Sequence, residues 1–171
     1  MGPVEVILAI DPGAVSGWAI VSVGPSPEHV RSGTFHFTKS PKGQPVSPTE
    51  LVTYLCAEAN RDGHTILRAA IEDQYLDKNV NTLKKLARNG GRWEEACEAA
   101  GIPVEYVAAS TWQSRELCMP GAKRDVLRRA ADAKAFGIWQ LEGPEHRIDA
   151  ALIGRYVAVT MYRRMIKPPP H

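Results

Sequence analysis

The chain has 171 residues, 44% hydrophobic and 23% charged, a composition that suits a single globular domain with a sizeable core. No run approaches the roughly eighteen consecutive apolar residues of a membrane span. The opening "MGPVEVILAI" has neither the basic n-region nor the cleavage site of a signal peptide. Gly2 stands where a myristoyl group attaches, but Pro3 and Ile7 fit the rest of that motif poorly. Cys56, Cys97 and Cys118 are odd in number and widely spaced, so they form no disulfide framework; a reducing, cytoplasmic setting is expected.

The predicted elements run as follows. Val4–Ile10 is a strand whose unbroken apolar run points to burial on both faces. It leads directly into Asp11, and Pro12-Gly13 and Ser16-Gly17 mark a turn. Trp18–Val23 and Val30–Thr38 read as two further strands, closing an antiparallel meander. A polar Pro-rich loop, "KSPKGQPVSP", ends in Ser47-Pro48-Thr49-Glu50, a helix start, with Leu51, Leu55 and Ala59 as its apolar stripe. Thr65–Ile71 is a fourth strand ending in Glu72-Asp73. Asn79–Ala87 and Arg92–Ala100 are read as two helices separated by Asn89-Gly90-Gly91. Pro103–Val107 is a fifth strand. A short helix starts at Ser110 and breaks at Pro120-Gly121. Helices over Lys123–Ala135 and Arg147–Arg164 follow, then a disordered "KPPPH" tail. The sum is one α/β domain over residues 1–166, with a mixed five-stranded sheet and helices on both faces.

The net charge of +2 is small, but it is unevenly spread. Lys78, Lys84, Lys85, Arg88 and Arg92 form an acid-free run. Six basic residues against three acids lie between Arg115 and Lys134, and Arg155, Arg163, Arg164 and Lys167 load the last helix and tail. Each run alone reads as a solvated helix face; three in so short a chain point to a polyanionic partner.

Two strands end in acid, Asp11 and Glu72. If they lie side by side and parallel, both carboxylates reach the sheet edge where α/β proteins place their sites. His146 and Asp149, three residues apart, share one face of an otherwise apolar helix. Taken singly, each acid has a bland reading: a turn cap for Asp11, a strand-end ion pair for Glu72, a helix-dipole charge for Asp149. Gathered together they would repel strongly, and a divalent metal removes that cost. Oxygen donors favour Mg²⁺ or Mn²⁺, with His146 as a ligand or proton carrier, and zinc is disfavoured because no Cys joins the set. Two such ions about 3.5–4 Å apart suit phosphodiester cleavage.

The stretches "AIDPGAVSGWAIV", "AIEDQYLDKNVNTLKKLARNGG", "AKRDVLRRAADAKAFGI" and "HRIDAALIGRYVA" resemble, in order and spacing, the RuvC-type Holliday-junction resolvases of the ribonuclease-H-like superfamily. The resemblance covers about four-fifths of the chain. It implies a homodimer that cuts two opposed strands of a four-way DNA junction with two divalent ions, Mg²⁺ or Mn²⁺, at each site. Its acidic positions fall on Asp11, Glu72, His146 and Asp149, its stacking aromatic on Tyr75, and its phosphate-contacting lysine on Lys123. Lys78, Lys84, Lys85, Arg88, Arg115 and Arg124 are the further DNA-contact candidates. Where the family often carries another lysine this chain has Trp112, with Arg115 a helical turn later. A non-catalytic junction binder is disfavoured by the intact site positions. An actin-like phosphotransferase is disfavoured by the absence of a duplicated domain. Trp93 and Trp139 read as packing residues, and His36 and His64 as surface or capping residues. Val80, Leu83, Leu86 and Ala87 form a stripe that suits a core or a dimer contact equally.

Overall fold

The computed structural model describes residues 2–37, 42, 47–73 and 80–167. Its five-stranded sheet has the order β3-β2-β1-β4-β5, built from β1 (Val4–Asp11), β2 (Val15–Ser22), β3 (His29–His36), β4 (His64–Asp73) and β5 (Val104–Ala108). β1, β2 and β3 pair antiparallel, while β4 joins β1 and β5 joins β4 in parallel. This is the ribonuclease-H-like mixed sheet expected from the sequence. The apolar run of β1 is buried on both faces because the sheet is covered on both. Val6, Leu8 and Ile10 face α1 (Pro48–Arg61) and α2 (Val80–Ala99). Ile7 and Ala9 face the layer of α3 (Ala109–Leu117), α4 (Arg124–Trp139) and α5 (Glu145–Ile166).

The start of α1 follows the capping rule: Ser47 accepts a hydrogen bond from the Glu50 amide, and Pro48 opens the first turn. Two expectations need correction. The helices proposed on either side of Asn89-Gly90-Gly91 are one continuous helix, α2. Its buried stripe, Trp93, Ala96 and Cys97, anchors the C-terminal half on the sheet. The Asn89 side chain donates to the Gly13 carbonyl at 3.1 Å, a tertiary bond that holds the segment in place. Each of the two glycines costs a helix interior about 1 kcal/mol, and these tertiary contacts oppose that cost. The second correction concerns β2, which begins at Val15, inside the presumed turn. Ser16 is buried there with its hydroxyl fully employed: it donates to the Gly13 carbonyl and accepts from the Gly13 amide and from Trp93 Nε1.

Gly17 is needed for a close approach. A Cβ there would lie 1.8 Å from the His146 carbonyl oxygen, so the first turn of α5 rests directly on the backbone of β2. Further along, Gly154 passes over Val21 and Ala9, where a Cβ would come within 2.8 Å of a Val21 methyl. The small residues Ala9, Ala19, Ala150, Ala151 and Gly154 thus let α5 sink against the sheet. No described helix is long and apolar enough to cross a membrane.

Two substitutions test this architecture by urea denaturation. Gly17→Ala is expected to lower stability by about 3 kcal/mol, because the added carbon meets backbone that cannot turn aside. Gly91→Ala, with open space around it in mid-helix, is expected to raise stability by roughly 0.5–1 kcal/mol. A loss at Gly91 would return that segment to a loop.

Candidate active site

Asp11 is the last residue of β1 and Glu72 the penultimate residue of the adjacent parallel strand β4. Their carboxyl groups lie close enough for each to act on the other's charge. Both are buried, Asp11 at 4% and Glu72 at 9% exposure, which is unusual enough for carboxylates to require compensation. His146 and Asp149, on the first turns of α5, complete the group. All four line one cavity of about 460 Å³, roofed by α3 and α4.

The structure shows how the charges are balanced. His146 Nδ1 lies 2.8 Å from Asp11 Oδ2, and that bond raises the imidazole pKa against the opposing effect of burial. Glu72 Oε1 accepts from the buried Trp112 indole N–H at 2.7 Å. Even so, burial and the repulsion of Asp11 push its pKa up to about 9, so Glu72 holds a proton at neutral pH. Asp149 Oδ1 accepts from Arg128 Nη1 at 2.8 Å. Burial outweighs this arginine and moves the Asp149 pKa to about 6. Arg128 also reaches Asp132, through Nε at 3.1 Å. Its Nη2 is 2.8 Å from the same oxygen but out of line for a hydrogen bond. Glu145 adds a further carboxylate, 3.7 Å from His146 Nε2.

Arg128, the His146 imidazole bonded to Asp11 and the proton favoured on Glu72 therefore offset the charge of this cluster. Among the described residues no three His, Cys, Asp or Glu groups stand ready as a ligand set around one point. The donors nevertheless fit a hard dication in kind: three carboxylates and one imidazole converge from two strand ends and one helix, with no thiol among them.

The other sequence candidates are distributed as follows. Arg124 lines the cavity, whereas Lys123 is exposed at the N-cap of α4, beside it in the chain but not in the wall. Lys84, Lys85 and Arg88 are exposed on α2, away from the cavity lining. Arg115 is turned away altogether and lines a separate groove with the end of α5. Tyr75 and Lys78 lie outside the described residues, as do the side chains of Val80 and Leu83, most of the Pro-rich loop and residues 168–171. Trp93 and Trp139 pack as expected, Trp139 with its indole N–H on the Pro27 carbonyl. Gly13 has no positive φ; it is needed for space, since a Cβ there would meet the Val15 carbonyl oxygen at 2.9 Å. Sequence reasoning missed Arg128 and the hydrogen-bonding role of Trp112.

The mixed five-stranded sheet with helices on both faces is the ribonuclease-H-like fold. Among solved structures the chain is similar to Thermus thermophilus RuvC in complex with Holliday junction substrate. That match has 19% identity and a TM-score of 0.72, covering 96% of this chain and 99% of that one. A second Thermus thermophilus RuvC structure matches at 21% identity and TM-score 0.61, over 94% and 96% of the two chains. The yeast mitochondrial Holliday junction resolvase Ydc2 matches at 15% identity and TM-score 0.53, over 96% and 84%. No family profile and no curated protein matches the sequence.

The buried cluster makes stability fall with rising pH when no metal is supplied. Glu72 binds its proton more tightly folded than unfolded, so between pH 4.5 and about 9 the folded state carries the extra proton and loses stability as pH increases. The raised values of Asp149 and His146 act in the same direction at lower pH. A dication that replaces those protons reverses the trend. Thermal unfolding with chelator should therefore give a lower Tm at pH 8.5 than at pH 6, and the rise in Tm with Mn²⁺ should be larger at pH 8.5. An increment independent of pH would show that metal does not enter this cluster.

Proposed function

We propose that this chain is a metal-dependent, structure-selective DNA endonuclease that resolves four-way junctions, acting as a homodimer through paired nicks. The observation that carries the reading is the convergence of Asp11, Glu72, His146 and Asp149 on one cavity at the ends of β1 and β4 and the start of α5. It is supported by a fold shared over nearly the whole chain with a resolvase solved on its junction. Asp11, Glu72 and Asp149, with His146, are the groups that would hold Mg²⁺ or Mn²⁺, two ions per site. Such ions, when bound, lower the pKa of a water and neutralise charge on a scissile phosphate.

The chain's own residues supply the rest. Trp112 fixes the orientation of Glu72 through its indole N–H and favours the ionised, ligating carboxylate. His146, hydrogen-bonded to Asp11, is placed to serve either as a ligand to the ions or as a proton carrier toward a leaving oxygen. Arg124 in the wall and Lys123 at the rim offer positive charge to the phosphate on entry. A single cavity cuts one strand, and a two-fold dimer is the economical way to place two such cavities on opposed strands of one junction.

The test uses a labelled four-way junction, linear duplex and ATP, each with Mg²⁺, and a supercoiled plasmid carrying a cruciform. Paired nicks that linearise the plasmid are expected, with duplex and ATP left intact. Binding without cleavage would favour a non-catalytic junction protein, and ATP turnover a phosphotransferase. Asp149→Asn should keep the fold, abolish cutting and leave junction binding unchanged or tighter. Mixed dimers with wild type should give open circle rather than linear plasmid.

Trp112→Phe keeps the packing and removes the donor to Glu72. At fixed, subsaturating Mg²⁺ the rising limb of the cleavage–pH profile should move up by roughly one unit. An unmoved limb would leave Trp112 a packing residue only.

A further inference from the structure

A second groove, of about 710 Å³, shares no lining residue with the acidic cavity. Its walls come from α3 and the C-terminal half of α5, and they bring together Arg115, Arg155, Arg163, Arg164 and Lys167. One carboxylate, Glu116, lies among them. It is buried and already neutralised by Arg155 and Lys134. Arg115, Arg163, Arg164 and Lys167 make no ion pair among the described residues, and all four are exposed. Four unneutralised cations converging from two elements on one concavity repel one another, and an anionic occupant relieves that cost.

Position favours nucleic acid as the occupant. α3 separates the two sites: Trp112 and Gln113 face the acidic cavity, and Arg115 and Glu116 face the groove. α5 carries both, with Asp149 near its start and Arg163 about 21 Å further along its axis at 1.5 Å per residue. That distance equals about six base steps at 3.4 Å each. An extended polyanion that enters the acidic cavity near Asp149 therefore has phosphates at the spacing needed to reach the basic end of the same helix.

We propose that this groove is a second phosphate-binding track, which holds the backbone of a duplex arm about six base pairs from the strand in the acidic cavity. The proposal rests on the nuclease reading for the nature of the polyanion. The track is sequence-independent, since its charges are exposed and its function is positional.

The experiment compares wild type with Arg163→Gln/Arg164→Gln/Lys167→Gln, and separately with Arg115→Gln from the opposite wall. Binding by fluorescence polarisation is measured on hairpin-capped four-way junctions with arms of about five or about fifteen base pairs, chosen to fall short of the groove or to cross it. On long arms the triple variant should bind roughly tenfold more weakly, with a log–log salt slope smaller by about 2–3. On short arms it should match wild type. Arg115→Gln should show the same arm dependence in smaller degree. Cleavage of long-arm junction at saturating protein should be unchanged. Equal affinity of all forms on long arms, or an equal loss on both arm lengths, overturns the track. Failure of the nuclease reading looks different: wild type then binds junction and linear duplex alike and cuts neither, while the groove variants still lose affinity for long duplex. If wild type binds no DNA, both readings fall.

Discussion

The structure turns on the cost of holding carboxylates together out of water. Asp11 and Glu72 are driven into contact by the parallel pairing of β1 with β4, and Asp149 is brought in by the seating of α5 on β2. Such a cluster is stable only if its charge is balanced. Here the balance has three parts: a proton on Glu72, the His146 imidazole hydrogen-bonded to Asp11, and a guanidinium beside Asp149. The helices above the cavity take their places around those compensations. α3 is positioned so that Trp112 can donate to Glu72, and α4 so that Arg128 can span Asp149 and Asp132.

Much of this was legible in the sequence because the strongest signals are local. An apolar run ending abruptly in Asp11 marks a buried strand and an acid at its end, and "LRAAI" followed by Glu72 repeats the pattern. The helical spacing of His146 and Asp149 is equally local. What could not be read is what crosses between elements. Arg128 reads as a surface partner for Asp132 four residues on; that it also faces Asp149, 21 residues away, depends on the packing of α4 on α5. Trp112 stood out only as the residue where the resembled family often has a lysine, and its donor role toward Glu72, 40 residues distant, is likewise tertiary. The unbroken course of α2 was hidden by Gly90-Gly91, because the anchors that override local propensity, Asn89 on Gly13 and Trp93 on Ser16, lie far away in the chain.

The two helical layers carry different kinds of charge. The α3–α4–α5 side holds the acidic cavity and, beyond α3, the basic groove. The α1–α2 side presents Lys84, Lys85 and Arg88 to solvent on a helix whose buried face is fixed by Trp93. Small net charge in the whole molecule thus conceals strong local fields of opposite sign, the arrangement by which a protein can be selective for where a polyanion lies as well as for its charge.

The contact of His146 with Gly17 has a consequence for how this chain can change over generations. The first turn of α5 is set against the β2 backbone at Gly17 with no room for one extra carbon, so a larger residue at Gly17 would displace the turn that carries His146. The last turns of the same helix are exposed and need contribute little more than positive charge. One helix thereby joins an end with no steric room for substitution at its contact to an end open to solvent, where a change of side chain meets no packed neighbour backbone.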